Sequence, residues 1–390
     1  MSLAFIPDQA ASLPYGYDWL AQNAVESNIF YEPAFLVAGL QHLADESVEM
    51  CVAREPESAI PLAAIPLRRA RRRYGPLPTP VPLVAWLHPY AMACTPLVSP
   101  EAPVQALQKL LEKAASRRDG PQVLLLPLMR TDGPVWPLLL QALTNTNRRH
   151  ALLQTHSRAG VNQPRSAEIT LRSLTGKKSC RSINRSREKL SAIGAVSHRT
   201  VTQPPDLSAA LQTFLALEAF GWKGQKGTAL QTAGHDRFAA QAVEALAAGN
   251  RARIDITYLD DVAIAATVSL RDGTDCAPRW MPWKTAYDER YANYGAGSLS
   301  LAQLTETLLS EAQNNDAPFV LDSLADEGSV IANRLWRQRW QLADVLIDLV
   351  PGGSSAYRAI AMAERTRKRA YDAARAAREL VRNAKTRKTS

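Results

Sequence analysis

The sequence contains few cysteines and histidines, and none of them forms a metal-binding or nucleophile pattern. The four cysteines are widely spaced among 390 residues without a Cys-x-x-Cys pair, which argues against structural zinc and against a disulfide framework. The six histidines match no metal-ligand spacing, and no Gly-x-Ser-x-Gly elbow occurs. We therefore expect no metal cofactor and no serine acyl-enzyme.

Long apolar runs are also missing. No stretch approaches the roughly 18 uninterrupted apolar residues of a membrane-spanning helix. The opening MSLAFIPDQA lacks a basic segment followed by an apolar run, so no signal peptide is predicted. Because 46% of the residues are hydrophobic and 21% are charged, a large core is possible and general disorder is excluded. The expectation is a cytoplasmic globular protein of two domains.

The net charge of +9 is concentrated in the C-terminal tail. Eleven Lys or Arg residues and three acids follow residue 350, so the tail carries +8 and the rest of the chain is nearly neutral. Alanines share one face of the predicted tail helix and arginines the other, and such a face buries too little area for strong membrane insertion. The tail is either a plain helical extension or a weak contact for an anionic surface or a protein partner.

The second half of the sequence predicts a defined order of strands and helices. One helix has Leu207, Leu211 and Phe214 on an apolar stripe, begins at a cap on Asp206 and ends near residue 219. Glu218 falls in the middle of this stripe, which is an unusual position for a carboxylate. The patterns that follow predict helix 235–248, strands 253–259, 262–268 and 279–287, helix 298–312, strand 318–322, helix 330–340 and strand 342–349.

The first half shows the same order of elements with different residues. Its predicted strands lie at 48–54, 59–66, 82–86, 122–128 and 151–156, and its predicted helices at 101–115 and 135–143. This repeated order predicts two similar domains followed by a tail. The predicted boundaries are residues 1–165, 166–350 and 351–390.

The two halves differ at the turn that precedes the helix after the third strand. In the second half this turn and the start of the helix read Tyr294-Gly295-Ala296-Gly297-Ser298-Leu299, and in the first half the turn reads SPEAP (99–103). Glycine lets backbone N–H groups approach a phosphate at a helix N-terminus, whereas proline removes an N–H group. Only the second half is therefore expected to hold a pyrophosphate, with an ordinary turn as the alternative.

Five stretches together resemble the GNAT acyltransferases, and within them the tandem Fem-type proteins and the CelD/BcsL-like acetyltransferases. The stretches are NIFYEPAFLVAGL (28–40), KKSCRSINRSREKLSAIG (177–194), FLALEAFGWKGQKGTAL (214–230), WKTAYDERYANYGAGSL (283–299) and LDSLADEGSVIANRLW (321–336). The resemblance implies an α/β fold of two GNAT-like domains, each a mixed, mostly antiparallel sheet flanked by helices. It also implies acetyl-CoA or another acyl-CoA as the co-substrate, held by residues 294–299, and a role in cellulose or other exopolysaccharide synthesis.

Glu218 is the first candidate catalytic residue. A partly desolvated carboxylate has a raised pKa and can take a proton from an incoming amine or hydroxyl. Alternatively, Glu218 accepts hydrogen bonds that lock the 221–227 loop, with Lys223 as a partner. Trp222 is expected either to wall the acceptor pocket or to pack at the junction of the two halves.

The end of the third strand supplies further candidates, because in a GNAT-like site this strand lies beside the pantetheine arm of CoA. A tyrosine at this place could protonate the departing thiolate, and Tyr287, Tyr291 and Tyr294 all qualify. Asp322 ends the next strand, where it could orient the substrate or cap a helix. The predicted assignments are catalysis by Glu218, Tyr291 and Asp288, acyl-CoA binding by Lys284 and residues 294–299, and acceptor binding by Trp222, Lys223, Tyr287 and Asp322.

The predicted function is direct transfer of an acetyl or similar group from acyl-CoA to an amine or hydroxyl of a sugar- or amino-acid-derived acceptor. Two alternatives stay open. One is Fem-like transfer from an aminoacyl-tRNA, which would use the basic segments 68–73 and 177–189. The other is a non-catalytic scaffold of a polysaccharide synthase complex. The expected partner is a small-molecule or glycan-precursor acceptor, and DNA is not expected.

Overall fold

The computed structural model describes residues 13–44, 48–69, 80–117, 122–274 and 277–386. Predictions made on residues 1–10, on most of the arginine-rich stretch 68–73 and on Cys276 lie outside these ranges. The helices are α1 (Tyr17–Asn23), α2 (Pro33–His42), α3 (Pro103–Ala115), α4 (Val135–Asn145), α5 (Leu171–Thr175), α6 (Lys177–Ser191), α7 (Pro204–Phe220), α8 (Trp222–Gln225), α9 (Asp236–Ala247), α10 (Ala296–Asn314), α11 (Val330–Leu335) and α12 (Ser355–Thr386), with 3₁₀ turns at Ile29–Tyr31 and Glu289–Tyr294. The strands are β1 (Glu49–Ala53), β2 (Ala63–Arg69), β3 (Leu83–Ala85), β4 (Leu97–Val98), β5 (Val123–Arg130), β6 (His150–Gln163), β7 (Val196–Val201), β8 (Ala252–Leu259), β9 (Val262–Thr274), β10 (Ala277–Tyr287), β11 (Phe319–Asp322) and β12 (Gln338–Asp348).

All the described strands join one twelve-stranded sheet. Its order is β1-β2-β3-β5-β12-β6-β11-β10-β9-β8-β7, with β4 paired to β2 outside this path. Only β3 with β5 and β10 with β11 are parallel among the described pairs, and the others are antiparallel. The predicted fold class, a mixed and mostly antiparallel sheet flanked by helices, is confirmed.

The last strand of the chain completes the first half of the sheet. β12 is antiparallel to β5 on one side and to β6 on the other, and β6 pairs in turn with β11. The sheet is thus continuous across residue 165, and β12 of the predicted second domain lies between two strands of the predicted first domain. The division at residue 165 stays a prediction.

Two local predictions were wrong. The helix predicted for 330–340 ends at Leu335, because the buried Trp336 takes an extended conformation and donates its Nε1–H to Thr305 Oγ1 at 3.3 Å. From residue 338 buried and exposed side chains alternate as in a strand. Asp206 does not cap α7, because Pro204 occupies the first turn and Gln203 is the N-cap residue. Asp206 instead lies in the first turn, where a negative charge favours the helix dipole.

An aromatic cluster joins the two halves of the chain. Phe35 of α2 packs edge-on against Phe238 of α9 and against Trp283 of β10, with ring centroids 5.3 and 5.7 Å apart. Tyr90, in the loop after β3, stacks on Phe238 at 5.5 Å, and its carbonyl accepts a hydrogen bond from Trp283 Nε1 at 2.9 Å. These contacts hold the 86–96 loop of the first half against β10 of the second.

Helix α12 covers residues 355–386, within the range of the predicted tail. Its first turns are not free: Tyr357 and Ile360 are buried with Val84 and Leu346 in a small core on the sheet. Within the described part of the chain, no helix is both long enough and apolar enough to span a membrane.

Candidate active site

A cleft opens where two parallel strands of the second half separate. β10 and β11 pair at only two positions, Arg279 with Val320 and Trp280 with Leu321. Beyond them β10 contains a bulge between Pro282 and Lys284 and continues, whereas β11 ends at Asp322. The cleft between the diverging ends has a volume of about 710 Å³. Its walls come from the end of β10, the segment 323–326, the start of α10, helix α11 and the 86–96 loop.

Five of the predicted site residues line this cleft. They are Trp222, Lys223, Lys284, Tyr287 and Gly297. They belong to α8, to the end of β10 and to the first turn of α10. The volume of the cleft is within the range of small-molecule sites, which present a few convergent polar groups.

Glu218 lies directly behind the two lysines, on the buried face of α7 that its periodicity predicted. Its side chain is fully inaccessible to solvent. Lys223 Nζ donates to Oε1 at 3.0 Å, Lys284 Nζ lies 3.7 Å from the same oxygen, and the Leu230 N–H donates to Oε2 at 2.9 Å. Both carboxylate oxygens are thus occupied. A buried carboxylate with this set of partners has its hydrogen-bonding capacity satisfied.

Lys284 has a strongly altered acidity. Burial disfavours the ammonium form, the Glu218 carboxylate opposes this effect and the neighbouring Lys223 charge adds to it, so that the pKa of Lys284 falls from 10.5 to about 8. Near neutral pH a useful fraction of Lys284 is then a neutral amine, which can accept a proton. Lys223 is fixed more firmly, because its Nζ also donates to the Thr285 carbonyl at 2.9 Å.

The glycines of the 294–299 turn have packing reasons for their identity. Gly295 is in the left-handed region at φ 74°, and a Cβ there would lie 2.8 Å from Ser186 Oγ of α6. A Cβ on Gly297 would lie 2.8 Å from Cδ1 of the Tyr287 ring. The glycine at 297 thus allows Tyr287 to lie between the cleft and α10. As the first residues of α10, 296–298 have N–H groups without an intrahelical acceptor.

Several predicted residues have structural partners outside the lining of this cleft. Asp288 caps the 3₁₀ turn and binds the Arg290 guanidinium at 2.6 Å, which lowers the pKa of its carboxyl group. Tyr291 and Tyr294 contact each other, with ring centroids 6.3 Å apart, and pack on the core beneath α10. Leu299 lines a much smaller cavity with His198. Of the proposed thiolate acids, the cleft therefore includes Tyr287 in its lining.

Asp322 is buried in an ion pair. Its Oδ2 accepts from Arg158 Nη2 at 2.6 Å, and its Oδ1 accepts from the Leu324 N–H at 3.1 Å. Arg158 Nη1 also donates to the Met92 carbonyl at 2.7 Å. Because Met92 and Leu324 both line the cleft, Arg158 ties two of its walls together.

The cleft-lining residues that sequence reasoning missed come from both halves of the chain. Tyr90 and Met92 belong to a loop without periodic pattern, and their approach to β10 depends on the pairing of the two halves. Trp336 was assigned to a longer helix. Trp283 directly precedes Lys284. An aromatic residue next to a lysine near a strand end is the signal that could have identified Trp283 as a cleft residue. The described residues include no cluster of three or more metal-ligand side chains.

Comparison with known proteins places this geometry in a family context. Residues 177–312, about a third of the chain, match the family model described as an acetyltransferase (GNAT) domain. No curated protein has a significant match to the sequence. The crystal structure of FemX superposes with a TM-score of 0.54 at 9% identity, covering 89% of this chain and 96% of that one. At this identity the likeness concerns the fold alone.

Two further structures are similar over most of their length but superpose more loosely, so they carry no argument. L-PGS from Bacillus licheniformis has a TM-score of 0.48 at 12% identity, with 84% of this chain and 91% of that chain covered. A tandem GNAT protein from the clavulanic acid biosynthesis pathway has a TM-score of 0.43 at 12% identity, with coverage of 90% and 99%. The CelD/BcsL-like subtype stays a prediction. Residues 177–312 thus match an acetyltransferase (GNAT) domain, within a chain that has a fold similar to that of FemX.

Proposed function

We propose that the chain is an acyltransferase that moves an acyl group from acyl-CoA to an amine or hydroxyl of an acceptor bound in the cleft. The observation that carries the proposal is the early separation of β10 and β11. Beyond Trp280 the β10 edge that faces the cleft has no partner among the described strands, and the arm of CoA contains amides that can pair with such an edge. The diphosphate would then lie at the start of α10, where free N–H groups and the helix dipole favour anions.

Lys284 is the proposed base. Its neutral form would take the proton from the acceptor as the acceptor nitrogen or oxygen attacks the thioester carbon and the C–S bond breaks. Tyr287 would give its proton to the departing sulfur. Glu218 would hold and orient Lys284 rather than act as the base, because both of its carboxylate oxygens already have hydrogen-bond or ion-pair partners. The predicted role of Glu218 as the base itself is the alternative, and variants at the two positions separate the roles.

The acceptor class follows from the predicted resemblance together with the cleft. A sugar- or amino-acid-derived amine or hydroxyl, including an exopolysaccharide precursor, would face the two lysines and the aromatic wall of Trp222, Tyr90 and Trp283. A cytoplasmic location would give access to acyl-CoA. Polar groups that line such a site reject an acceptor that cannot pair with them, because these groups would then be buried without a hydrogen-bond partner.

Calorimetry with acetyl-CoA, longer acyl-CoAs and acetyl-pantetheine tests the proposal. We expect binding heat for an acyl-CoA and weaker binding of acetyl-pantetheine, which lacks the diphosphate. Absence of binding for every acyl-CoA would overturn the proposal. Mass spectrometry of candidate acceptors incubated with the best donor then identifies the product.

A second candidate function is transfer from aminoacyl-tRNA. The specific observation in its favour is the basic face of α6, where Lys177, Lys178, Arg181 and Arg185 are exposed, on a helix that contacts the start of α10 through Ser186. Phosphate binding by such a face weakens steeply as salt rises. Salt-dependent binding of charged tRNA without binding of any acyl-CoA selects this function over the first.

A further inference from the structure

Tyr90 brings a side chain from the first half of the chain to the proposed base. Its ring lines the cleft, and Lys284 Nζ lies 4.4 Å from the ring centroid. The hydroxyl of Tyr90 lies 2.8 Å from Nδ1 of His235, at the start of α9. Its backbone carbonyl accepts the hydrogen bond from Trp283 Nε1. Tyr90 is therefore fixed at its backbone, at its ring and at its hydroxyl.

We propose that Tyr90 is a positioning residue for Lys284, whose ring face holds the lysine ammonium at the wall of the cleft. The proposal rests on the role of Lys284 in the proposed function, and it makes the first half of the chain part of the reacting site. A cation over an aromatic face is attracted by the ring quadrupole, and the attraction grows when both groups are removed from water.

The other charged groups around Lys284 show why its ammonium group needs the contact with the Tyr90 ring. Glu218 of α7 attracts the Nζ atom at 3.7 Å, and Lys223 of α8 repels it. A lysine side chain has a flexible four-carbon stem. Under these two charges alone, the Nζ atom could therefore move closer to the Glu218 carboxylate. The ring of Tyr90 contacts the ammonium from the side of the first half and keeps it in the cleft lining.

The ring itself has little freedom. It stacks on Phe238 at an interplanar angle of 18°. Burial and the Glu218 charge raise the pKa of Tyr90 to about 12, so the hydroxyl keeps its proton in its hydrogen bond with His235 Nδ1. Two side chains from other elements anchor the surrounding loop: Arg158 Nη1 binds the Met92 carbonyl at 2.7 Å, and Asn28 Nδ2 binds the Thr95 carbonyl at 2.9 Å.

The test measures Lys284 directly, so that it does not depend on turnover. The full-length protein is labelled with trace acetic anhydride across a pH series, and mass spectrometry of the Lys284 peptide gives the midpoint of its reactivity. Wild type is compared with Tyr90→Phe, which keeps the ring, and Tyr90→Leu, which keeps apolar bulk without a ring. Tyr258→Leu on β8 is the control, because it removes a partly buried tyrosine that lies away from the cleft.

We expect a wild-type midpoint near pH 8, and the same midpoint in Tyr90→Phe and Tyr258→Leu. Because the ring stabilises the charged lysine, its loss in Tyr90→Leu should move the midpoint down by about half a unit to one unit. Turnover at pH 7.5 should fall by up to about 100-fold in Tyr90→Leu with KM for acyl-CoA unchanged, because a misplacement of a reacting group by about 1 Å can cost that much.

Two results would overturn the proposal: an unchanged midpoint in Tyr90→Leu, or an equal shift in Tyr90→Phe, which would assign the effect to the hydroxyl. A wild-type midpoint at the ordinary lysine value of about 10.4 would instead contradict the role of Lys284 as the base. In that case the comparison of Tyr90→Leu with wild type still reports on the ring contact. The failures of the two proposals are therefore distinguishable.

Discussion

The two halves of the chain contain the same pair of parallel strands with a helix between them, but they finish it differently. In the second half, β10 runs past its partner into residues that line a cleft, and α10 begins at Ala296 after the N-cap residue Gly295. In the first half, the short β3 also pairs with β5 at only two positions, but it is followed at once by the buried Trp86. The helix of that half, α3, begins at Pro103, which has no N–H group to offer. A pair of parallel strands with a helix between them can therefore line a cleft, the acyl-CoA site of the proposed function, or can be covered by core side chains. The residues at the end of the first strand and at the start of the helix distinguish the two cases.

The strongest test of this contrast removes the amine of Lys284, the proposed base in the second half. Lys284→Met should lower turnover by at least about 100-fold, since a positioned proton acceptor contributes roughly 10²–10⁴. Acetyl-CoA binding measured by calorimetry should persist. In wild type, turnover should rise with pH and level off above about 8, as Lys284 loses its proton.

Lys113→Met in the exposed face of α3 is the matched control and should leave turnover unchanged. Retention of more than a tenth of the wild-type rate by Lys284→Met would assign the base to another group.

Glu218→Gln should lower the free energy of unfolding by about 1–3 kcal/mol. The amide replaces an acceptor by a donor beside Lys223 and the Leu230 N–H, which leaves buried groups unsatisfied. Because Glu218 raises the pKa of Lys284, the acid limb of the rate profile should also move to lower pH. Urea denaturation and the pH profile measure these effects, and the exposed Glu244→Gln is the control. A loss of turnover equal to that of Lys284→Met, with the pH of the limb unchanged, would favour Glu218 as the base.

Matched substitutions at the two helix starts sharpen the comparison further. Gly297→Ala places a Cβ 2.8 Å from the Tyr287 ring, so the ring or the helix start must shift. We expect acetyl-CoA to bind about tenfold more weakly, which corresponds to about 1.4 kcal/mol. Pro103→Ala in the first half should leave binding unchanged. Equal effects of the two variants in calorimetry would show that the α10 start has no special part in binding.

The tail should have the smallest effect on catalysis. A truncation that removed residues 352–390 would also delete Tyr357 and Ile360, which are buried against the sheet. The truncation that tests the tail should therefore keep Ser354 and the first turns of α12. Deleting 369–390 retains the ion pair of Glu364 with Arg367 and should change turnover less than twofold. A larger loss would contradict the assignment of catalysis to the cleft. Pull-down with the same deletion tests the predicted weak anionic or protein partner.

The sequence predicted the order of elements and the burial of Glu218, because both depend on local periodicity. Leu207, Leu211, Phe214 and Glu218 share the buried face of α7 as the 3.6-residue repeat requires. The alternation of β8 and β9 identified their hairpin in the same way. These features need no knowledge of distant parts of the chain.

Features that depend on distant contacts were not predictable from local patterns. The bulge between Pro282 and Lys284 changes which side chains of β10 face the cleft, and a one-residue shift reverses that choice. Tyr287 ends β10 and lines the cleft, whereas Asp288 and Tyr291 belong to the 3₁₀ turn that follows and have partners elsewhere. Tyr90 lies 194 positions from Lys284, and only tertiary pairing brings them together.

The position of β12 has a consequence for synthesis on the ribosome. The N-terminal half of the sheet lacks the strand between β5 and β6 until residues 338–348 have left the exit tunnel. During that interval two strand edges stay without partners, and such edges invite pairing with other chains. Nascent protein should therefore need protection until residues 338–348 are available to pair, and a fragment that stops before residue 338 should aggregate.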